Sequence, residues 1–191
     1  EFMKFLMNGT LYQGSKPVMW SPVEKTALAE AEVEYHDKES FTIWVKFKVG
    51  GTIRDFEPSM NIPEDPLLGA NVLIWTTTPW TMPSNKAVVF GTDISYGLYE
   101  VLDTPAESWA KVGEKYILAD DLAEEVMKRG RLDDEMYTRV ADVNPSDIAW
   151  VKHPLAGAEG GDREWDDPRD FRAADFVTDD EGTGFVHCAP S

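Results

Sequence analysis

Three consecutive threonines near the middle of the chain are the first residues whose type and spacing suit chemistry. Thr76, Thr77 and Thr78 follow a short apolar run typical of a buried strand, and Pro79 then interrupts backbone pairing. A strand end presents side chains and free backbone groups to a ligand, and a hydroxyl group both donates and accepts hydrogen bonds. The triplet therefore suits the orientation of a polar substrate. Because threonine also favours strands for packing reasons, a plain sheet edge is the alternative interpretation.

A second candidate site lies near the end of the sequence, where two glycines precede a short predicted strand. Gly182 and Gly184 permit a close backbone approach, and His187 alternates with Phe185, so both side chains should face the same side. A histidine here could donate to a substrate, form a wall or transfer protons. The alternative is a structural histidine. Cys188 should face the opposite way, which argues against a Cys–His nucleophilic pair.

Other candidate sites carry less chemistry. The acidic stretch over residues 162–170 lacks the glycine and glutamate spacing of a calcium-binding EF-hand loop, so a solvated loop is the interpretation. His36 and His153 lie in polar, loop-like surroundings and receive no role. The sequence contains no phosphate-binding P-loop, no dinucleotide-binding glycine motif, no serine-hydrolase elbow and no zinc-protease helix motif.

Several short strands and few helices are predicted to position these residues. Apolar alternation and turn residues predict strands over residues 16–20, 42–49, 71–77, 87–90, 96–102, 115–118, 174–178 and 184–188. Helices are predicted over residues 2–9 and 121–129, the second with Asp120 as its N-cap. This pattern predicts a single β-rich α+β domain over residues 1–191, folded as a β-barrel with flanking helices.

Composition narrows the class of protein. The 191 residues carry 18 Lys and Arg against 35 Asp and Glu, a net charge of −17. Such a surface repels nucleic-acid backbones and anionic lipids, which argues against a free-standing DNA- or RNA-binding protein and against a membrane partner. The single cysteine, Cys188, excludes an intramolecular disulfide and fits a reducing, cytoplasmic compartment.

Four segments, taken together, resemble a known family. They are residues 16–20 (Lys-Pro-Val-Met-Trp), 27–35, 75–85 (Trp-Thr-Thr-Thr-Pro-Trp-Thr-Met-Pro-Ser-Asn) and 182–190 (Gly-Thr-Gly-Phe-Val-His-Cys-Ala-Pro). In this order they resemble the inserted editing domain, or connective polypeptide, of bacterial-type isoleucyl-tRNA synthetases. Valyl and leucyl enzymes instead have Thr-Thr-Arg-Pro followed by an acid, at positions where this chain has Thr78 and Trp80.

The resemblance implies an aminoacyl-ester hydrolase within an isoleucine-tRNA ligase. Isoleucyl enzymes are the standard example of a synthetic site that rejects valine poorly, because one missing methylene is worth only about 1–3 kcal/mol. The editing pocket would hydrolyse mischarged Val-tRNA(Ile) or valyl-adenylate and exclude isoleucine by size. Direct attack by water is expected, since no protein nucleophile is evident. The residues that carry over to the substrate pocket are Thr76, Thr77, Thr78, Thr81, Asn85 and His187, the last as the wall that limits side-chain size.

The resemblance also implies partners and cofactors. The partners would be the aminoacylated 3′ end of tRNA(Ile) and the rest of the synthetase, with no DNA and no membrane. ATP and magnesium would belong to the parent synthetase and not to this fragment. The family often carries a Cys-x-x-Cys zinc element where this chain has residues 21–25, so no metal is expected there.

One further departure concerns an aspartate that the family places beyond the His187 segment to hold the substrate's α-ammonium group. The sequence ends at Ser191, before that position, so we expect the isolated fragment to edit poorly or not at all. From the residues alone, the competing hypothesis is a non-catalytic, acidic, β-rich binding or interaction module.

Overall fold

The structure of the chain is a computed structural model that describes residues 1–53, 65–161 and 163–190. The chain divides into two units, Glu1–Glu39 and Ser40–Ser191, which are described separately. The single domain expected over residues 1–191 stays a prediction. None of the helices in the described ranges combines the length and the apolar composition that a membrane crossing requires.

The first unit contains one helix and one hairpin. Helix α1 spans Phe2–Met7 and confirms the predicted N-terminal helix, and strand β1 (Trp20–Ser21) pairs antiparallel with β2 (Thr26–Ala27). A 3₁₀ turn follows at Glu30–Glu32. The strand predicted over residues 16–20 is wrong except for its last residue, because this segment has no strand partner before Trp20 in the described structure.

The second unit contains a sheet whose described strands number nine. The strands are β3 (Ile43–Thr52), β4 (Asn71–Thr76), β5 (Ala87–Phe90), β6 (Tyr96–Val101), β7 (Lys115–Ala119), β8 (Tyr137–Val143), β9 (Ile148–Val151), β10 (Arg169–Ala173) and β11 (Phe185–Cys188). Helix α2 (Asp120–Arg129) follows β7, and short 3₁₀ turns lie at Pro79–Ser84, Pro145–Asp147 and Arg163–Asp166. The sheet order is β11-β5-β10-β9-β3-β4-β7-β6-β8, with the pairs β4–β7 and β5–β10 parallel and the others antiparallel.

Strand β3 lies between two halves of this sheet, β11-β5-β10-β9 on one side and β4-β7-β6-β8 on the other. Its first part pairs with β4 and its last part with β9, and the pairing register shifts around Gly51. The ring of Trp150 lies across this point, so closely that a Cβ atom at Gly50 would lie 2.0 Å from it and one at Gly51 2.2 Å. Glycine is therefore required at both positions, since any side chain would displace the indole.

A buried tyrosine connects the beginning of β11 to β6. The Tyr96 hydroxyl donates to the Gly184 carbonyl at 2.6 Å and accepts the Gly91 backbone N–H at 3.0 Å. The Tyr96 and Phe185 rings lie 4.7 Å apart, and the Ala119 N–H donates to the Thr183 carbonyl at 3.0 Å. The sheet therefore curls until the start of β11 meets β6 and the end of β7.

The curled sheet does not amount to the predicted barrel. Strands β11 and β8 are at opposite ends of the strand order, and no pairing joins them among the described residues. The prediction of a β-rich α+β fold is confirmed, whereas closure into a β-barrel is not. The contact that closes the curl is made by side chains and loop carbonyls instead of a strand ladder.

In the second unit, three of the described strands were not predicted from the sequence, and one predicted strand is wrong. Strand β8 exposes most of its residues at the sheet edge, β9 has only four residues, and β10 alternates buried and charged positions. None of these gives a long apolar alternation. The strand predicted over residues 174–178 is a turn instead. Its Val177 is buried while the adjacent Phe176 is exposed, so the apolar pair marks one buried side chain and not a strand.

Asp120 ties the first turn of α2 to the sheet. Its carboxylate accepts hydrogen bonds from Ser95, from Tyr99 and from both Nε and Nη2 of Arg139. The Arg139 guanidinium is the main reason why the pKa of Asp120 falls to about 2. The prediction of Asp120 as the N-cap is wrong, because Ala119 occupies that position and the Asp120 side chain is used by β6 and β8.

Gly184→Ala should strongly destabilise the second unit. Gly184 has a φ of +80°, and an added Cβ would lie 2.5 Å from the Ala119 Cβ. We expect the free energy of unfolding to fall by roughly 2–4 kcal/mol, from left-handed strain and overpacking together. The control is Gly113→Ala, which has a φ of +83° but nothing within 4 Å, and so tests backbone strain alone. If urea denaturation showed the same loss of unfolding free energy in both variants, the role of the close contact would be contradicted.

Asp120→Asn should remove an acid-sensitive part of the stability. Because the pKa of Asp120 is depressed in the folded state, its stabilisation is present above about pH 4 and disappears as the pH falls towards 2. At pH 7 we expect a loss of about 1–2 kcal/mol in the free energy of unfolding. Asp142→Asn is the control, since Asp142 also pairs with Arg139 but its side chain is 94 % exposed against 23 % for Asp120. This account would be refuted if the difference in the free energy of unfolding between wild type and Asp120→Asn were the same at pH 7 and at pH 2.

Candidate functional site

The threonine triplet lies where β4 ends and the chain turns. Thr76 is buried, and its Oγ1 accepts the backbone N–H of Thr78 at 3.0 Å. Thr77 is exposed, and its Oγ1 lies 3.4 Å from that of Thr78. The strand predicted over residues 71–77 is confirmed as β4, which ends one residue earlier. The Thr76 hydroxyl therefore shapes the turn, while Thr77 presents its own hydroxyl at the surface.

The 3₁₀ turn at Pro79–Ser84 carries Thr81 back over the triplet. Both the backbone N–H and the hydroxyl of Thr81 donate to the Thr78 carbonyl, at 3.1 Å and 2.7 Å. Trp80 points outwards from this turn with 74 % of its surface exposed. The turn thus places one threonine inwards and one tryptophan outwards at adjacent positions.

His187 meets this turn from β11. Its Nε2 lies 3.2 Å from the Thr81 Oγ1. Because the only hydroxyl proton of Thr81 is directed at the Thr78 carbonyl, Thr81 must accept from His187, which assigns the ring proton to Nε2. Among the described residues, the buried Nδ1 atom has no hydrogen-bond partner, and it carries a lone pair. Burial also lowers the pKa of His187, so the ring is neutral at pH 7.

Asn85 holds the other end of the turn and is only 1 % exposed. Its Nδ2 donates to the Ala87 carbonyl at 2.8 Å and to the Cys188 carbonyl at 3.4 Å, which links the turn to β5 and β11. Its Oδ1 is buried and has no hydrogen-bond partner in the part of the chain that the structure describes. Asn85 therefore lies beside the strand that carries His187, with one acceptor atom unused.

The structure thus brings all six predicted site residues into one neighbourhood. Hydrogen bonds and close contacts run from Thr76 through Thr78 and Thr81 to His187, while Asn85 bonds the residue that follows His187. Their role in substrate binding stays a prediction. Cys188 is half-buried, and burial raises the pKa of its thiol, which disfavours the nucleophilic thiolate.

Two residues of this neighbourhood were missed in the sequence. His153 was expected in a polar loop but is only 2 % exposed, and its Nε2 lies 3.0 Å from the Met82 carbonyl. Trp165 stacks on the His153 ring and donates its indole N–H to the Pro83 carbonyl at 3.0 Å. No sequence signal connects these residues to the turn, because they lie 71 and 82 positions beyond their partners.

A metal site is not evident at this place or elsewhere in the described ranges, where no group of three or more His, Cys, Asp or Glu side chains could hold an ion. In the β1–β2 hairpin, the Ser21 hydroxyl donates to the Glu24 carboxylate.

Comparison with known proteins identifies the family. The sequence model of the class I tRNA synthetases (I, L, M and V) matches residues 1–153. The isoleucine–tRNA ligase of Ruegeria pomeroyi is 71 % identical over 191 residues, and that of Bradyrhizobium diazoefficiens is 52 % identical over 190. Each alignment covers 100 % of this chain but only 18 % of the relative, so the chain spans about a fifth of the length of these ligases.

A solved structure described as GlLeuRS-CP1 shares the fold. Its TM-score is 0.51 at 16 % sequence identity, and the match covers 76 % of this chain and 57 % of that one. The resemblance to isoleucyl-tRNA synthetases that the four segments carry is confirmed by the ligase relatives. The chain therefore belongs to the class I tRNA synthetases of the isoleucine, leucine, methionine and valine group.

Proposed function

We propose that this chain is the editing segment of an isoleucine–tRNA ligase, and that it hydrolyses mischarged Val-tRNA(Ile) or valyl-adenylate while excluding isoleucine by size. The observation that carries the proposal is the contact between Thr81 and His187, 3.2 Å, which joins the threonine turn to the histidine strand. The same residues form the two motifs that resemble the editing domain, and they come from segments more than 100 positions apart.

The hydroxyl groups of the site suit the orientation of an ester and a water molecule. Thr81 directs its proton at a backbone carbonyl. One of the Thr77 and Thr78 hydroxyls donates to the other, which leaves the proton of the acceptor and that of Thr76 for a substrate. In the proposed reaction, water adds to the ester carbonyl, the bond to the ribose oxygen breaks, and valine and the free tRNA hydroxyl leave. The raised pKa of the Cys188 thiol supports direct attack by water instead of a covalent intermediate.

His187 is suited to limit the size of the side chain that enters. The hydrogen bond to Thr81 and the strand register against Val88 hold the ring in one place. A packed wall penalises an extra methylene by about 1–3 kcal/mol through overpacking. The editing pocket would therefore disfavour the larger isoleucine. The synthetic site instead disfavours the smaller valine, which loses a similar amount of binding free energy there.

The net charge of the chain bears on which part of the ligase would supply the affinity for tRNA. With a net charge of −17, the surface does not attract a phosphate backbone, so the rest of the ligase would supply most of the affinity for tRNA. This segment would receive only the single-stranded 3′ end that bears the amino acid. ATP and magnesium would be needed elsewhere in the ligase, for synthesis of the aminoacyl ester. A cytoplasmic location stays a prediction.

The proposal predicts selective hydrolysis. The chain would replace the matching segment of the Ruegeria pomeroyi ligase, and release of radiolabelled amino acid from Val-tRNA(Ile) and Ile-tRNA(Ile) would be measured. We expect hydrolysis of the valyl ester at least about 100-fold faster than that of the isoleucyl ester, the discrimination that roughly 3 kcal/mol provides. Equal background rates for both esters would overturn the proposal in favour of a non-catalytic binding module.

His187→Ala should widen the accepted size range. In the same chimera we expect Ile-tRNA(Ile) hydrolysis to rise about 10-fold or more, because removal of the ring relieves the overpacking against the extra methylene. Cys188→Ala is the matched control, since its side chain is on the opposite face of the same strand and discrimination should be unchanged. Continued protection of the isoleucyl ester in His187→Ala would refute the wall role.

A further inference from the structure

We infer that His153 and Trp165 are positioning residues of this site, which hold the Pro79–Ser84 turn so that Thr81 keeps its hydrogen bond with His187. The inference rests on the proposed editing function only for its effect on substrate choice. Its structural step concerns the geometry of the turn and is measured independently of hydrolysis.

The protonation state of His153 follows from its two partners. The Leu155 backbone N–H donates to Nδ1 at 3.1 Å, so Nδ1 carries a lone pair and the ring proton is on Nε2. That proton points at the Met82 carbonyl, 3.0 Å away. Burial lowers the pKa of His153, which keeps this neutral tautomer at pH 7. Both ring nitrogens are therefore committed, one to its own loop and one to the turn.

Trp165 makes the neighbouring contact. Its ring is nearly parallel to that of His153, at 4° and 5.8 Å between centroids, and its Nε1 donates to the Pro83 carbonyl at 3.0 Å. The carbonyls of Met82 and Pro83, two consecutive residues, are thus each bound by a side chain from a distant segment. Phe47 of β3 packs edge-on against the His153 ring at 6.3 Å, which connects this pair to the core.

The turn needs such support because its own hydrogen bonds are few. This 3₁₀ turn has six residues, whereas runs longer than about four are uncommon for this conformation, and Pro79 and Pro83 have no N–H to donate. Thr81 directly precedes Met82, so a displacement of the Met82 carbonyl moves the Thr81 hydroxyl. The contact at 3.2 Å between Thr81 and His187 would lengthen, and the His187 ring would lose the partner that selects its tautomer.

The test is Trp165→Phe, which keeps an aromatic ring on His153 but removes the indole donor to Pro83. The matched control is Trp109→Phe, because the Trp109 Nε1 is buried without a partner in the described structure and its loss breaks no hydrogen bond. His153→Gln is a second variant, in which an amide can still donate to Met82 but the stacking is lost. Urea denaturation of each variant verifies that the fold is retained.

The first readout is the ¹⁵N spectrum of the His187 ring in this chain, by long-range ¹H–¹⁵N correlation. Wild type and Trp109→Phe should show one neutral tautomer with the proton on Nε2. In Trp165→Phe we expect the ratio of the two tautomers to change roughly threefold to tenfold, the range that the loss of one hydrogen bond allows. An unchanged His187 spectrum in both Trp165→Phe and His153→Gln would overturn the inference.

The second readout is the ratio of kcat/KM for Val-tRNA(Ile) and Ile-tRNA(Ile) in the chimeric ligase. We expect Trp165→Phe to lower this ratio by roughly threefold to tenfold and Trp109→Phe to leave it unchanged. If the chimera that carries the wild-type chain hydrolysed neither ester, the proposed editing function would be wrong. The His187 spectra would still decide whether His153 and Trp165 position the turn.

Discussion

The hydroxyl group of Tyr96 is the interaction on which the geometry of the second unit depends. It donates to the Gly184 carbonyl and accepts from the Gly91 N–H, so it joins β6, the turn before β6 and the start of β11. Burial raises the pKa of Tyr96 to about 12, so the donor is present at any physiological pH. His187 lies three residues beyond Gly184 on the strand that this bond holds. The position of the histidine opposite the threonine turn therefore depends on a contact in the core.

The hydrogen bonds of the site form a chain in which the donor and the acceptor of each bond are defined. His187 donates to Thr81, and Thr81 donates to the Thr78 carbonyl, because each group has one proton to place. Burial keeps His187 neutral and so preserves this direction. The acidic charge of the chain belongs largely to exposed side chains, whereas the site itself is built from neutral groups. Under the proposed function, the larger enzyme would deliver an amino-acid ester to this neutral, hydroxyl-rich site.

Prediction from sequence succeeded for strands whose own residues show clear apolar alternation, a continuous apolar run or glycines at the start. Strands β3 and β4 were predicted because their apolar residues alternate or run together, and β11 because its glycines and alternation mark its start. Strand β10 was missed because Arg169 is buried, which inverts the usual assignment of charged residues to the surface. The predicted N-cap at Asp120 was wrong for a related reason, since its carboxylate is used by Arg139 and Tyr99 on other strands.

By itself, the sequence determined the β-rich class, the family and the six residues of the candidate site, because these depend on residue type, local spacing and order along the chain. Tertiary structure decided that the sheet curls without closing, that His187 donates to Thr81, and that His153 and Trp165 form hydrogen bonds with carbonyls of the turn. These features depend on contacts between segments separated by 64 (Ala119 to Thr183) to 106 positions. Which distant segments meet is set by how the whole core packs, and no local pattern of residues encodes that choice.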